Sequence, residues 1–78
     1  MPDLEDLNPA LVRFGENVKA QRERRKLSQE NLAGEADLDR SYVGGIERGE
    51  RNPTILSALR IAAALGTSVA KLCEGIDG

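Results

Sequence analysis

Seventy-eight residues, 40% of them hydrophobic, suffice for one small domain with a modest core. Eleven Lys plus Arg against 13 Asp plus Glu leave a net charge of −2, and the chain has no histidine and a single cysteine, Cys73. That inventory excludes a four-ligand zinc site, an iron–sulfur cage, an internal disulfide and an imidazole-based triad. No apolar run reaches the roughly 18 residues of a membrane span. The acidic start, Met1 to Leu7, lacks the basic and apolar regions of a signal peptide, so a soluble, cytoplasmic protein is expected.

Residues 1–8 read as an acidic N-terminal tail carrying Asp3, Glu5 and Asp6, and a single domain is expected over 9–76. Asn8-Pro9 opens the first helix, with Asn as cap and Pro at a position whose N–H is not needed. Leu11, Phe14 and Val18 recur at helical spacing, and the segment is predicted to run to about Lys26. Ser28 caps a second helix, Gln29 to Ala36, with Leu32, Ala33 and Ala36 on its inner side. Asp37-Leu38 makes a tight turn with Leu38 inward, and Asp39 caps a third helix from Arg40 to about Arg48. That helix buries Val43 and Ile46 and stops at Gly49. Asn52-Pro53 repeats the cap-then-proline signal for a fourth helix ending near Leu65, before Gly66. Thr67 or Ser68 caps a short fifth helix through Leu72. No strand pattern appears.

The slight acidity, taken as a total, argues against a nucleic-acid partner, but the charge is segregated. Arg13, Lys19, Arg22, Arg24, Arg25 and Lys26 crowd one stretch, and the cations of residues 39–52 are all arginines: Arg40, Arg48 and Arg51. Screening over roughly 8–10 Å lets such a cluster meet phosphates while another face stays acidic. The run from Arg22 to Lys26 also suits a solvated helix C-terminus. Two helices joined by a short turn, early in a small all-α domain, suggest a helix-turn-helix.

The stretch from Leu27 to Gly49, with Leu32 and Ala33 facing Val43 and Ile46, resembles the helix-turn-helix of the Cro/repressor (XRE-type) family. The likeness continues through Glu50 to Thr54 and Ile61 to Gly66, covering roughly residues 11–73. Within that family, Asp39 to Pro53 is most similar to the controller proteins of restriction–modification systems. The resemblance implies an all-α, compact five-helix lambda-repressor-like fold with the helix-turn-helix at helices 2 and 3. It also implies a sequence-specific transcriptional regulator that binds double-stranded DNA as a homodimer on a pseudo-palindromic operator.

On that resemblance the third helix enters the major groove. Arg40, at its N-terminal turn, has the reach for guanine O6 and N7, and its charge opposes the helix dipole unless something electron-rich approaches. Ser41 beside it donates or accepts. Tyr42 meets a base edge or phosphate, or else packs over the corner of helices 2 and 3. Gly44 and Gly45 cost on the order of 1 kcal/mol each against Ala, which points to close backbone approach to DNA at one of them, with helix crowding as the other reading. Gln29 matches a family backbone clamp at a helix N-terminus, and Arg48, Arg51 and Asn52 are expected on flanking phosphates. Arg22 and Glu47 match a structural ion pair between helices 1 and 3. Lys26 and Asp37 stand where relatives usually have glycine, and Gln21 where they often bury leucine.

Helix 4 carries more apolar residues than one face needs. Ile55, Ala58, Ala62 and Leu65 are assigned inward, leaving Leu56, Leu59 and Ala63 as a second stripe, joined by Leu72 and Ile76 as an expected dimer interface. Coverage of that stripe by helix 5 is the other reading. Two recognition helices about 34 Å apart would follow from a two-fold dimer. Cys73 reads as a small buried or interfacial hydrophobe. The chain has no evident ligand-sensing domain, so autoregulation is expected, and RNA polymerase is left open as a further partner. An antitoxin-type protein, or a phage or plasmid repressor with the same domain, is the alternative. No cofactor or metal is expected, and enzyme activity is not, because no nucleophile–base set accompanies the carboxylates.

Overall fold

The computed structural model describes residues 7–77, and these form five helices and no strand among them. They are α1 (Pro9–Arg24), α2 (Gln29–Ala36), α3 (Arg40–Glu47), α4 (Ile55–Leu65) and α5 (Val69–Leu72). The expected acidic tail of 1–8 falls largely on residues 1–6, which lie outside the described residues.

Each helix starts on a side-chain cap. Asn8, Ser28, Asp39, Thr54 and Ser68 accept hydrogen bonds of 2.8–3.0 Å from backbone N–H groups that the helix itself leaves unpaired. Thr54, and not Asn52, caps α4: the Asn-Pro signal is displaced two residues, because Pro53 lies in the α3–α4 loop and the threonine reaches Ser57 N.

The ends of α1 to α4 share one device. Leu27 N–H donates to Arg22 O, Leu38 to Ala33, Glu50 to Gly45 and Thr67 to Ala62, at 2.9–3.1 Å. Each bond closes over a residue in the left-handed region: Lys26 (φ 58°), Asp37 (φ 56°), Gly49 (φ 78°) and Gly66 (φ 66°). The first helix therefore stops at Arg24 instead of Lys26, since Lys26 has left helical geometry. Leu27 and Leu38, just beyond two of these turns, fold back onto the core.

The core is Phe14 and Val18 of α1, Leu32, Ala33 and Ala36 of α2, Val43 and Ile46 of α3, four residues of α4, and Leu72 of α5. α3 is wedged between α1 and α2, and α2 also packs on α4. Gly15 makes the α1–α3 crossing possible. A Cβ there would lie 2.6 Å from the carbonyl oxygen of Glu47 and closer still to that of Ile46, so the helices meet backbone to backbone.

Two expectations for α4 and α5 are corrected. Ala58, Ile61, Ala62 and Leu65 form the inner face of α4, whereas Ile55 is 78% exposed. Starting the helix at residue 55 puts Ile55 in the first turn, just outside the core-facing arc centred on Ala58 and Leu65, while Ile61 falls within that arc on its opposite flank. Leu72 is fully buried in the core of its own chain, so it cannot belong to an exposed stripe. Leu56 (68% exposed), Leu59 (51%) and Ala63 do remain on the surface. Ile76 is half-buried against the core.

Candidate nucleic-acid interface

With Val43 and Ile46 turned inward, the 100° step of a helix puts Ser41, Gly44, Gly45 and Arg48 on the opposite face of α3, with Arg40 at its edge. Arg40 and Ser41 are exposed at the first turn. Among the described residues the Arg40 guanidinium has no hydrogen-bond or ion-pair partner. The Ser41 hydroxyl donates to Asp39 Oδ1 at 3.1 Å, which leaves its lone pairs outward. Tyr42 lies on the flank of α3. It is half-buried, packs on the core and points its hydroxyl at Ser57 Oγ of α4, 3.4 Å away, a different neighbour from the helix 2–3 corner.

Neither glycine presents bare backbone. A Cβ on Gly44 would lie 3.1 Å from Arg48 Nη1 and 3.4 Å from Gln29 Oε1, and one on Gly45 would lie 2.6 Å from Arg51 Cγ. Both positions are buried although they lie on the outward face. The cover consists of the side chains of Gln29, Arg48 and Arg51, the residues expected on phosphates. Arg48 is also tethered: its Nε donates to Glu50 Oε2 at 3.1 Å, with 57% of its side chain exposed. Arg51 and Asn52 are exposed in the α3–α4 loop.

Beneath this surface runs a buried polar brace. Arg22 of α1 donates through Nε to Glu47 Oε2 (2.7 Å), through Nη2 to Glu47 Oε1 (3.1 Å) and through Nη1 to the carbonyl of Leu27 (2.7 Å). Only 12% of the Arg22 side chain and 3% of the Glu47 side chain are exposed. The hydrogen bond to Glu47 is the largest influence on the guanidinium. It raises the Arg22 pKa above its ordinary value, burial works in the opposite direction, and the charges of Glu47 and Glu23 reinforce the rise. Gln29 Nε2 joins the same carboxylate, donating to Glu47 Oε1 at 3.0 Å. No buried side-chain polar atom among the described residues is left without a partner.

Sequence reasoning missed Gly15, the Gln29–Glu47 bond and the Arg48–Glu50 tether. A glycine in mid-helix, away from any turn signal, is the available sign of the first. The other two join residues whose proximity depends on how α2 and the α3–α4 loop pack on α3.

The acidic residues Glu30, Glu35 and Asp37 are exposed on and just after α2. The arginine-rich surface can therefore attract phosphates while the molecule remains slightly acidic overall. A separate apolar cleft of about 210 Å³ opens between the start of α1, the start of α4 and α5. Phe14, Ile55, Val69, Cys73 and Ile76 are among the residues lining it.

Residues 18–72 match the family model described as helix-turn-helix. The chain is 39% identical over 72 residues to the control protein C.MunI of a Mycoplasma species, covering 91% of this chain and 97% of that protein. The crystal structure of the restriction–modification controller protein C.AhdI from Aeromonas hydrophila is similar with a TM-score of 0.78 at 47% identity, over 80% of this chain and 94% of that one. SinR, crystallised in complex with DNA as the master regulator for biofilm formation, is similar with a TM-score of 0.73 at 33% identity, over 76% of this chain and 95% of that one.

Proposed function

The chain belongs to the helix-turn-helix family of DNA-binding transcriptional regulators, and we propose that it acts as a restriction–modification controller that binds a pseudo-palindromic operator as a homodimer. The observation that carries the reading is the outward face of α3. Exposed Arg40 and Ser41 stand at its first turn, and the side chains of Gln29, Arg48 and Arg51 lie over Gly44 and Gly45. A helix with this face in the major groove presents guanidinium and hydroxyl groups to base edges and leaves the flanking arginines for the backbone. In this reading Arg40 and Ser41 read bases, and Gln29, Arg48, Arg51 and Asn52 hold phosphates. Arg22 and Glu47 are structural supports.

The unit spanning 9–76 also carries the dimer contact. Leu56, Leu59 and Ala63 form an exposed apolar strip, and Ile55 joins it to the apolar cleft beside Ile76. A strip of this kind is favoured at interfaces. A two-fold pair through α4 would space the two α3 helices by about 34 Å, one turn of DNA. Regulation of its own gene, contact with RNA polymerase, a cytoplasmic location and the absence of catalytic activity belong to the same proposal. Among the described residues no helix is long and apolar enough to cross a membrane.

Footprinting on the DNA upstream of the protein's own gene tests the reading. The expected result is a protected pseudo-palindrome with half-sites about one helical turn apart. Protection that does not depend on sequence would overturn it.

A further inference from the structure

Glu47 sits on α3 yet points away from the outward face, and its carboxylate links three helices. Oε2 accepts from Arg22 Nε at 2.7 Å, and Oε1 accepts from both Arg22 Nη2 at 3.1 Å and Gln29 Nε2 at 3.0 Å. The ion pair with Arg22 braces α1 against α3. The bond to Gln29 has a different consequence, because Gln29 ends on the outward side of α3 above Gly44.

A carboxylate only accepts hydrogen bonds, so it tolerates one end of a glutamine amide and repels the other. Turned over, the Gln29 amide would set its carbonyl oxygen against Glu47 Oε1. The pairing therefore keeps the NH2 group inward and leaves Oε1, with the second N–H, over the glycine. Arg22, held at both ends by Glu47 and the Leu27 carbonyl, keeps the carboxylate from following Gln29 if that side chain moves. The amide oxygen comes to rest beside Gly44, 3.4 Å from where a Cβ of that residue would begin, which is ordinary contact distance. Glutamine is rich in rotamers, and holding one of them before DNA arrives spares that ordering at the moment of contact.

We propose that Glu47 is a positioning residue for DNA recognition, fixing the orientation and rotamer of the Gln29 amide through the Oε1–Nε2 hydrogen bond. This rests on the reading of Gln29 and the outward face of α3 as the DNA-binding surface. Replacing Glu47 by Gln keeps the size of the side chain but removes the constraint, because an amide faces either end of Gln29.

The test is a double-mutant cycle on operator affinity with the wild-type protein, Glu47→Gln, Gln29→Ala and the double variant. All four are compared at a temperature where circular dichroism shows them folded. Each single change should weaken binding about five- to tenfold, and the double variant should bind no more weakly than Gln29→Ala alone. Losses that multiply in the double variant overturn the positioning role while leaving the DNA-binding reading in place. Failure of the wild-type protein to prefer operator over other DNA removes that reading and this proposal with it. A second measurement needs no variant. NMR relaxation of the Gln29 side-chain NH2 in the free protein should give the order of a rigid group, and averaging like that of an exposed glutamine overturns the proposal.

Discussion

Arg51 lies across Gly45: its Cγ occupies a point 2.6 Å from where a Cβ of residue 45 would begin, and its Nε lies 3.4 Å from the same point. A loop residue thus covers the outward face of the helix before it, and it does so because that face has no side chain of its own. The obstructing atoms belong to a flexible stem that can swing aside. Gly45→Ala should therefore raise thermal stability through helix propensity, by up to about 1 kcal/mol, while displacing Arg51 from α3. Thermal denaturation and gel-shift titrations check the two halves. Operator affinity should fall several-fold, and most of that loss should vanish when the comparison is made in an Arg51→Ala background.

Arg40 and Arg51 should separate by the kind of loss they produce. Arg40→Ala is expected to cost about 1–3 kcal/mol and to relax preference at one base pair in each half-site. Arg51→Ala is expected to weaken all sequences alike and to reduce the slope of log K against log salt by about 1. Titrations against a set of single-base operator variants at several salt concentrations distinguish these outcomes. A change of sequence preference in Arg51→Ala would count against its backbone role.

Gly15 offers no such freedom, because the atoms facing it are the backbone carbonyls of Ile46 and Glu47. Gly15→Ala must push α1 off α3, and overpacking of this kind costs about 1–3 kcal/mol or more. Urea denaturation should show a lower midpoint with little change in slope.

Lys26 and Asp37 occupy left-handed turns that suit glycine. Lys26→Gly should stabilise the protein by about 1 kcal/mol, which in a domain of this size is a rise of roughly 4–8 °C in Tm. Asp37→Gly should raise Tm by less, since aspartate tolerates the left-handed region better than lysine. Differential scanning calorimetry of both variants ranks them.

Leu59 is exposed on α4 and Leu72 is buried in the core, so their substitutions should fail in different ways. Leu59→Lys leaves the core intact and should yield a folded chain that sediments as a monomer and binds operator weakly. Leu72→Ala opens a cavity among core side chains and should cost about 2–5 kcal/mol, visible as a large drop in Tm. Sedimentation velocity with parallel thermal melts gives both answers. A dimeric Leu59→Lys would remove α4 from the interface.

The order and type of the five helices were legible in the sequence because caps, proline and glycine act within a few residues of where they stand. Asn8, Ser28 and Asp39 bond N–H groups two or three positions away, so nothing distant is needed to recognise them. The turn at Asp37 was legible for the same reason. Local rules left ties that only packing broke. Asn52 and Thr54 are both good caps, and the path of the loop after Gly49 chose the threonine. Ile55 and Ile61 are equally apolar, and the phase of α4 against α2 buried the second. Leu72 entered the core because α5 closes on α1 and α4. The resemblance implied the Arg22–Glu47 pair, but neither the Gln29 amide on the same carboxylate nor the arginines over Gly44 and Gly45 follow from spacing along the chain. Those arrangements need α1, α2, α3 and the following loop brought together, since hydrogen-bond partners and the space above a glycine are set by distances in three dimensions.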